Sequence, residues 1–368
     1  MRWVLTWLLL CCVPVLVYAE KTDSNDFKFS GYLDTSYNYL LRNHEFINGM
    51  VDRENDLTQN GFTLQQVTFM MSKLPKQGLG GQLTVMFGRD ASWIAPVGIK
   101  PYYGSQTLNI TAPQAYLQYA IGRHTFVAGL FDTLIGSEDY KSILDTNFSR
   151  SILDDYAEPG IIIGARDTYA ITDKLSVNAG LNNGWSGVRD RSRPPTFELG
   201  TSYELNKIWS FLLQGLSGEQ RLVNYSATGY LGRREIINLI VTINATKALT
   251  LIVSCDYGVQ SKAITSSGAI GRAVWEGIAG YANYQFNDKW RTSVRGEIYD
   301  DQNGYMTGLH QNWRELTLTV GYVPIKHVEL RAETRHDFSN QNVFMNTDGP
   351  GLNKNQQSYA IEALYILR

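Results

Sequence analysis

The sequence predicts an all-β fold, a transmembrane antiparallel up-and-down β-barrel of about sixteen strands, with fourteen to eighteen admissible, on three observations. The chain opens on an export signal, its segments alternate apolar and polar residues over ten or more positions, and its connections alternate between tight turns and long polar loops.

The signal comes first. Arg2 precedes an apolar run from Trp3 to Val17 and a small Ala19, the tripartite pattern of a secretory signal peptide. Cleavage is expected after Val17-Tyr18-Ala19, dividing the chain into a signal, 1–19, and one barrel domain, 20–368. A helical membrane anchor is the competing reading, but a span needs roughly 20 apolar residues. This run is shorter and is broken by Pro14. Lipoprotein processing wants a small residue before the cysteine, whereas Cys11 and Cys12 follow Leu10 and Cys11. Both leave with the signal, so Cys255 stays alone and no internal disulfide can form. Arg2 is the signal's only charge, and its loss takes the net charge from −2 to −3, too weak a field to imply nucleic acid as a partner.

Aromatic and glycine content is high, 22 Tyr, 14 Phe, 8 Trp and 33 Gly, yet mean hydropathy is only -0.22, so the chain is strand-prone and polar at once. Near the start, Phe29, Gly31, Leu33, Thr35, Tyr37 and Tyr39 oppose Lys28, Ser30, Tyr32, Asp34, Ser36 and Asn38. At the end, Tyr359, Ile361, Ala363, Tyr365 and Leu367 oppose Ser358, Ala360, Glu362 and Leu364. A period of two residues is the pleat of a strand.

Tight turns fall at Pro75 to Gly78, Gly122-Arg123, Thr172-Asp173, Asn206-Lys207, Thr246-Lys247, Asn287-Asp288 and Pro324-Ile325. Longer polar stretches lie between them, near 42–60, 92–110, 136–159, 186–195, 220–231, 262–271, 302–312 and 339–354. Strict alternation gives an even strand number with both termini on the tight-turn side, as bacterial outer-membrane barrels require.

The polar faces separate this reading from a soluble sandwich. His327, Glu329, Arg331, Glu333, Arg335 and Asp337 occupy alternate positions opposite Val328, Leu330, Ala332 and Phe338. Burying such a ladder in a dry core costs several kcal/mol for each unpaired charge. Arg291, Ser293, Arg295 and Glu297 oppose Trp290, Val294 and Ile298 in the same way. The ionic face therefore sees water and the apolar face sees lipid. An open sheet edge in hydrocarbon would strand backbone N–H and C=O groups, so the first strand must pair with the last. Aromatic residues near strand ends, namely Tyr39, Tyr119, Tyr169, Trp185, Trp209, Tyr284, Phe286, Trp290, Trp313 and Tyr322, fit two interfacial girdles. Cys255 shares the parity of Leu251 and Val253 and is expected to face lipid.

Motifs cluster around the third long loop: Gly129-Leu-Phe-Asp-Thr133, Gly136-Ser-Glu138, Asn147-Phe-Ser-Arg-Ser151, Glu158-Pro159, Gly164-Ala-Arg166 and Asn182-Asn-Gly-Trp185. With Gly31-Tyr-Leu-Asp-Thr35 and Gln114-Ala-Tyr-Leu-Gln-Tyr119, they resemble the family called putative β-barrel porin-2, OmpL-like, over about half of the chain. The resemblance implies a sixteen-strand-like outer-membrane pore and carries no catalytic residues. One departure stands out. The chain ends Leu367-Arg368, where outer-membrane barrels commonly place an aromatic residue read by the insertion machinery, leaving that role to Tyr365 and Leu367.

A lumen of sixteen strands holds water unless something enters it. The third loop, 136–159, is the candidate to fold inward, the alternative being that its acids lie in an exposed loop outside the barrel. It sets Glu138, Asp139, Asp145, Asp154, Asp155 and Glu158 against Lys141 and Arg150. Its acids would face Arg166, Arg291, Arg295, Arg331 and Arg335, beside Glu329 and Glu333, so that a transverse field orients solutes, with a lean toward cations.

Enzymatic barrels need an assembled nucleophile, and none of His44, His124, His310, His327 and His336 sits in a catalytic motif; His327 and His336 fit the lumen ladder better. No metal-ligand spacing or phosphate loop is present, so no cofactor is expected. The expected function is passive diffusion of small polar solutes or ions across the outer membrane, with membrane lipid and the insertion machinery as partners. The alternative is a barrel-anchored adhesin or receptor using loops 42–60, 92–110 and 339–354. Oligomeric state is not legible.

Overall fold

The computed structural model describes residues 26–40, 53, 60–95, 109–185, 195–221, 231–345 and 352–367. The signal 1–19, Arg368 and most of the residues in four of the long loops lie outside them. The barrel strands are β1 (Lys28–Leu40), β2 (Gly61–Lys73), β3 (Gly78–Phe87), β4 (Ile110–Ile121), β5 (His124–Asp132), β6 (Ile161–Ala170), β7 (Leu175–Asn182) and β8 (Thr196–Glu204). They continue with β9 (Trp209–Arg221), β10 (Leu231–Asn244), β11 (Leu249–Ile264), β12 (Ile270–Gln285), β13 (Trp290–Asp301), β14 (Gln311–Tyr322), β15 (Val328–Ser339) and β16 (Asn355–Leu367). Every strand pairs antiparallel with its sequence neighbours, and β16 closes onto β1 from Gly31↔Leu367 to Leu40↔Ser358. Closure satisfies both edges, which is what lets a sheet stand in hydrocarbon. A two-residue ribbon, Phe344–Met345 with Leu352–Asn353, sits in the last long loop. No helix among the described residues is long and apolar enough to cross a membrane.

Local side-chain chemistry makes the turns. Asn206 Oδ1 accepts the amides of Ile208 and Trp209 at 2.8 and 3.0 Å, and Asn287 Oδ1 accepts those of Lys289 and Trp290 at 2.9 and 3.1 Å. Thr172 and Thr246 do the same through Oγ1, each 3.0 Å from the amide three residues on. These short polar side chains mimic a backbone turn and reverse the chain in a few residues. The stretch 262–271 is shorter than expected, because β11 and β12 run on to Ile264 and Ile270. A bulge between Gln260 and Ala263, with Lys262 at φ 54, absorbs the polar residues and restores pairing at Ala263↔Gly271.

Burial is inverted relative to a soluble protein. Phe62 and Leu199 are 88% and 68% exposed, whereas Arg295, Ser254 and Thr319 are at 0%. One large apolar outer surface over a polar interior is the signature of a barrel in lipid. Cys255 stands on that outer parity, in register with Leu239 and Ile278. Aromatic pairs ring the tight-turn end: Trp290 stacks on Tyr322 with centroids 4.3 Å apart, Tyr284 meets Phe286 at 4.9 Å, and His124 meets Tyr169 at 4.7 Å. Two residues expected in the girdles are elsewhere. Trp313 is fully buried on the inner face against Tyr156 and Phe344, and Trp185 packs edge-on to the inner Trp275. Parity alone does not distinguish an aromatic ring that faces lipid from one that packs under a loop.

The ionic ladder also needs two corrections. His327 lies in the turn at φ 72, so the ladder starts at Glu329. His336 takes the outer parity, opposite Leu316 and Gln357, and its Nδ1 lies 2.6 Å from Gln357 Oε1.

Gly129 of β5 illustrates a position that admits glycine alone. Its φ is 136, and a Cβ there would stand 2.4 Å from the carbonyl oxygen of Ala115.

Candidate functional site: the third loop and its wall

The third loop, 133–160, leaves β5 and returns to β6 through a 3₁₀ turn at Ser142–Leu144 and a π-helical turn at Leu153–Ala157. Gly136 opens it at φ 95. Its amide donates to Asn238 Oδ1 of β10 at 3.3 Å, while Ile135 packs on Leu216 and Ile236. The loop therefore reaches strands on the far side of the sheet from its own.

From Ser142 to Leu153 the loop is fastened to β12–β15, chiefly through its backbone. Glu333 accepts the amides of Phe148 and Ser149 at 2.7 and 3.0 Å, and Glu297 accepts those of Ile152 and Leu153 at 2.6 and 3.2 Å. The arginines take loop carbonyls. Arg331 Nη1 donates to Ser142 O at 3.1 Å, Arg291 Nη1 to Thr146 O at 2.8 Å, and Arg295 Nη1 to Ser149 O at 2.6 Å. Arg335 donates to Arg150 O. Asn147 Nδ2 adds a bond to Thr319 Oγ1 at 2.7 Å. A loop has no ladder for its own N–H and C=O groups, so charged wall groups substitute for one.

An apolar anchor follows. Ile152, Leu153 and Ala157 pack on Trp275, Ala279, Tyr281, Tyr299 and Trp313, and Trp275 Nε1 donates to Ala157 O at 3.1 Å. Gly277 leaves the notch for Leu153, whose Cδ2 would lie 2.3 Å from a Cβ at that position.

Sequence reasoning set the loop's acids against the wall's arginines, and the structure pairs them differently. Glu138 does meet Arg295, at 2.8 Å, and also accepts Tyr281 OH at 3.0 Å and the Ser151 amide at 2.9 Å. Asp139 pairs with Lys141 inside the loop at 2.9 Å, and Asp145 pairs with Arg150. Asp155 lies in the π turn, its amide donating to Ser151 O at 3.2 Å. The arginines are matched mainly by carboxylates of their own wall. Arg291 meets Glu329 at 2.6 Å, and Arg331 meets Glu329 and Glu362 at 3.2 and 3.1 Å. Arg295 meets Glu315 at 2.8 Å, and Arg335 meets Asp337 at 2.8 Å. Arg166 belongs to another wall, with Glu198 at 2.7 Å and its guanidinium over the Phe131 ring at 4.7 Å.

Several residues of this network lay outside the sequence-based list: Glu297, Glu315, Asp337, Glu362 and Arg53, which pairs with Asp337. Parity already places Glu297 and Asp337 on the ionic face, and the same inward parity would find Glu315 and Glu362. Arg53 belongs to a loop stretch with no periodicity to flag it. Glu158 closes the loop beside Asp256 of β11. Burial, and then the neighbouring Asp256 charge, hold its carboxyl well above the usual 4.5. Among the described residues, no group of three His, Cys, Asp or Glu is arranged to hold a metal ion.

Comparison with known proteins gives a consistent result. A family model described as "Putative beta-barrel porin-2, OmpL-like" matches residues 26–367. Among solved structures, the outer membrane channel DcaP of Acinetobacter baumannii matches with a TM-score of 0.64 at 12% identity, covering 94% of this chain and 98% of that one. OmpT of Vibrio cholerae, in a trimer form, gives 0.61 at 12% identity, covering 94% and 100%. An anion-selective porin from Comamonas acidovorans gives 0.61 at 10% identity, covering 93% and 99%. A search of curated proteins returned no match.

Proposed function

Because the chain belongs to the Putative beta-barrel porin-2, OmpL-like, family of outer-membrane barrels, we propose that it is a passive channel for small polar solutes and ions whose third loop forms the constriction. One observation carries the second half of this reading. The loop spends its backbone hydrogen bonds on the inner wall, at Glu297, Glu333, Arg291, Arg295, Arg331 and Arg335, rather than on solvent above the barrel. A segment bound to that wall at two separated points narrows the lumen and filters what enters. Glu138, Asp139, Asp145, Arg150 and Asp155 act here as parts of a fastened plug rather than as free charges.

Purified protein in planar bilayers tests the channel, which should give stepwise conductance. A barrel that serves only as an anchor for cell-surface loops gives none. Deleting residues 138–153 tests the constriction, because conductance per step should then rise; an unchanged step removes the loop from the pore's narrowest point.

A further inference from the structure

The inner wall divides into two chemistries. On β13–β16 it is ionic: Arg291, Arg295, Arg331 and Arg335 alternate with Glu297, Glu315, Glu333, Asp337 and Glu362. On β2–β4 and on β7 and β9 amides and hydroxyls predominate among the inward residues, with Met86, Leu212 and Leu216 as buried apolar exceptions. Gln82, Thr84, Gln114, Tyr116 and Gln118 line β3 and β4, while Asn178 and Gln214 line β7 and β9. The third loop is fastened chiefly to the ionic half, although Tyr140 O also accepts Gln66 Nε2 of β2 at 3.1 Å, and each of the four arginines there has a carboxylate within 3.2 Å. A close ion pair presents a dipole to its surroundings, and a dipole's field falls off faster with distance than that of a charge.

The amide half is also paired within itself, but with exchangeable partners. Gln82 Nε2 donates to Gln114 Oε1 and Tyr116 OH donates to Gln82 Oε1 at 3.3 Å; Asn178 and Gln214 exchange bonds of 3.1 and 3.0 Å. A carboxamide carries two donors and two acceptor lone pairs on one rigid group. It can therefore hand its bonds to a solute that both donates and accepts, as a sugar hydroxyl does, and take them back after the solute has passed. Such a wall replaces a sugar's water bonds nearly one for one. The charges beside it are paired with each other, Arg166 of β6 with Glu198 of β8 at 2.7 Å and Lys141 with Asp139 of the loop at 2.9 Å, so it offers an ion little net charge to offset the water that the ion gives up.

We propose that the channel favours neutral, hydroxyl-rich solutes of the saccharide and polyol class, moving along the amide wall, and that it discriminates little between cations and anions. This rests on the channel reading above and goes past it to the solute class.

The experiment uses the full barrel in proteoliposomes and planar bilayers, with glucose, glucosamine and gluconate as probes of similar size and different charge. Osmotic swelling is expected fastest in glucose, and potassium and chloride permeabilities obtained from zero-current potentials in a KCl gradient should agree within roughly threefold. Joint replacement Gln82→Leu, Gln114→Leu and Gln118→Leu keeps the bulk but removes the hydrogen bonds. It should slow glucose swelling roughly tenfold or more while KCl conductance changes much less. Should that variant not fold, the wild-type swelling order and zero-current potential decide the matter alone. Faster entry of either charged probe, or a strong preference for one ion, overturns the solute class and leaves the channel standing. Absence of stepwise conductance removes the channel and this inference with it.

Discussion

Glu333 fastens the third loop through two bonds that no other side chain supplies, so Glu333→Gln is the sharpest way to loosen it. The carboxylate accepts the Phe148 and Ser149 amides at 2.7 and 3.0 Å and Thr319 Oγ1 at 2.8 Å, and it is 6% exposed. Bonds to a charged acceptor each contribute about 1.5 kcal/mol or more, so the two loop amides represent roughly 3 kcal/mol of docking. The replacement amide keeps one acceptor oxygen and turns an NH2 toward a donor, so between half and all of that is lost. At 1.4 kcal/mol per factor of ten, the undocked population rises on the order of 10- to 100-fold. Trypsin reads this directly. Lys141 precedes the fastened segment and Arg150 lies within it, with side chains 14% and 8% exposed, so cleavage after either requires the loop to leave the wall. In proteoliposomes the variant should be cut after Arg150 at least ten times faster than wild type while the barrel itself resists, and single-channel records should show added flicker. Equal cleavage rates, with quiet records from both proteins, would refute the idea that this carboxylate holds the loop down.

Other expectations concern the loop's hinge, the wall and the outer face. Since burial raises the Glu158 carboxyl above 4.5, the docked loop binds more protons than the released loop, and docking should weaken as pH climbs from about 4.5 through the raised value. Tryptic cleavage after Arg150 should therefore accelerate over that range in wild type and depend less on pH in Glu158→Gln; parallel profiles would contradict this. Gly129→Ala should cost about 1 to 3 kcal/mol, because its Cβ meets the Ala115 carbonyl at an unfavourable φ. The measurement is the temperature at which the folded band disappears on unboiled gels, and an unchanged temperature counts against the steric account. Cys255 in liposomes should react with a membrane-soluble maleimide and resist a charged one, since it shares its outer face with Leu239 and Ile278; the reverse order would place it in the lumen.

The barrel was legible because its signals are local. Alternation in 329–337 assigns each residue to a face, and Asn206, Asn287, Thr172 and Thr246 mark turns that their own side chains then build. The site was legible only in part. Arg291, Arg295, Arg331 and Arg335 could be placed in the lumen by parity, but not fully matched to partners, because each also takes a loop carbonyl, a group that every residue carries and no sequence pattern reveals. Charge counting suggested a loop rich in uncompensated acid. Asp139 and Asp145 are instead compensated two and five residues away, by Lys141 and Arg150, a geometry that depends on how the loop curls. Trp275 and Trp313 escaped for a related reason: their neighbours, Ala157 and Tyr156, come from a segment without periodicity.

The seam between β1 and β16 has a kinetic consequence. Its partners, from Gly31↔Leu367 to Leu40↔Ser358, lie almost the full chain apart, so the ring is sealed by the contact with the greatest loop-closure cost. Until β16 arrives, two strand edges and a large apolar sheet face are open to other chains, which is the condition under which β proteins aggregate. Assembly of this barrel must then behave as a late, concerted event, and a nascent chain lacking the final strand should partition to holding chaperones and proteases instead of accumulating as a shorter barrel.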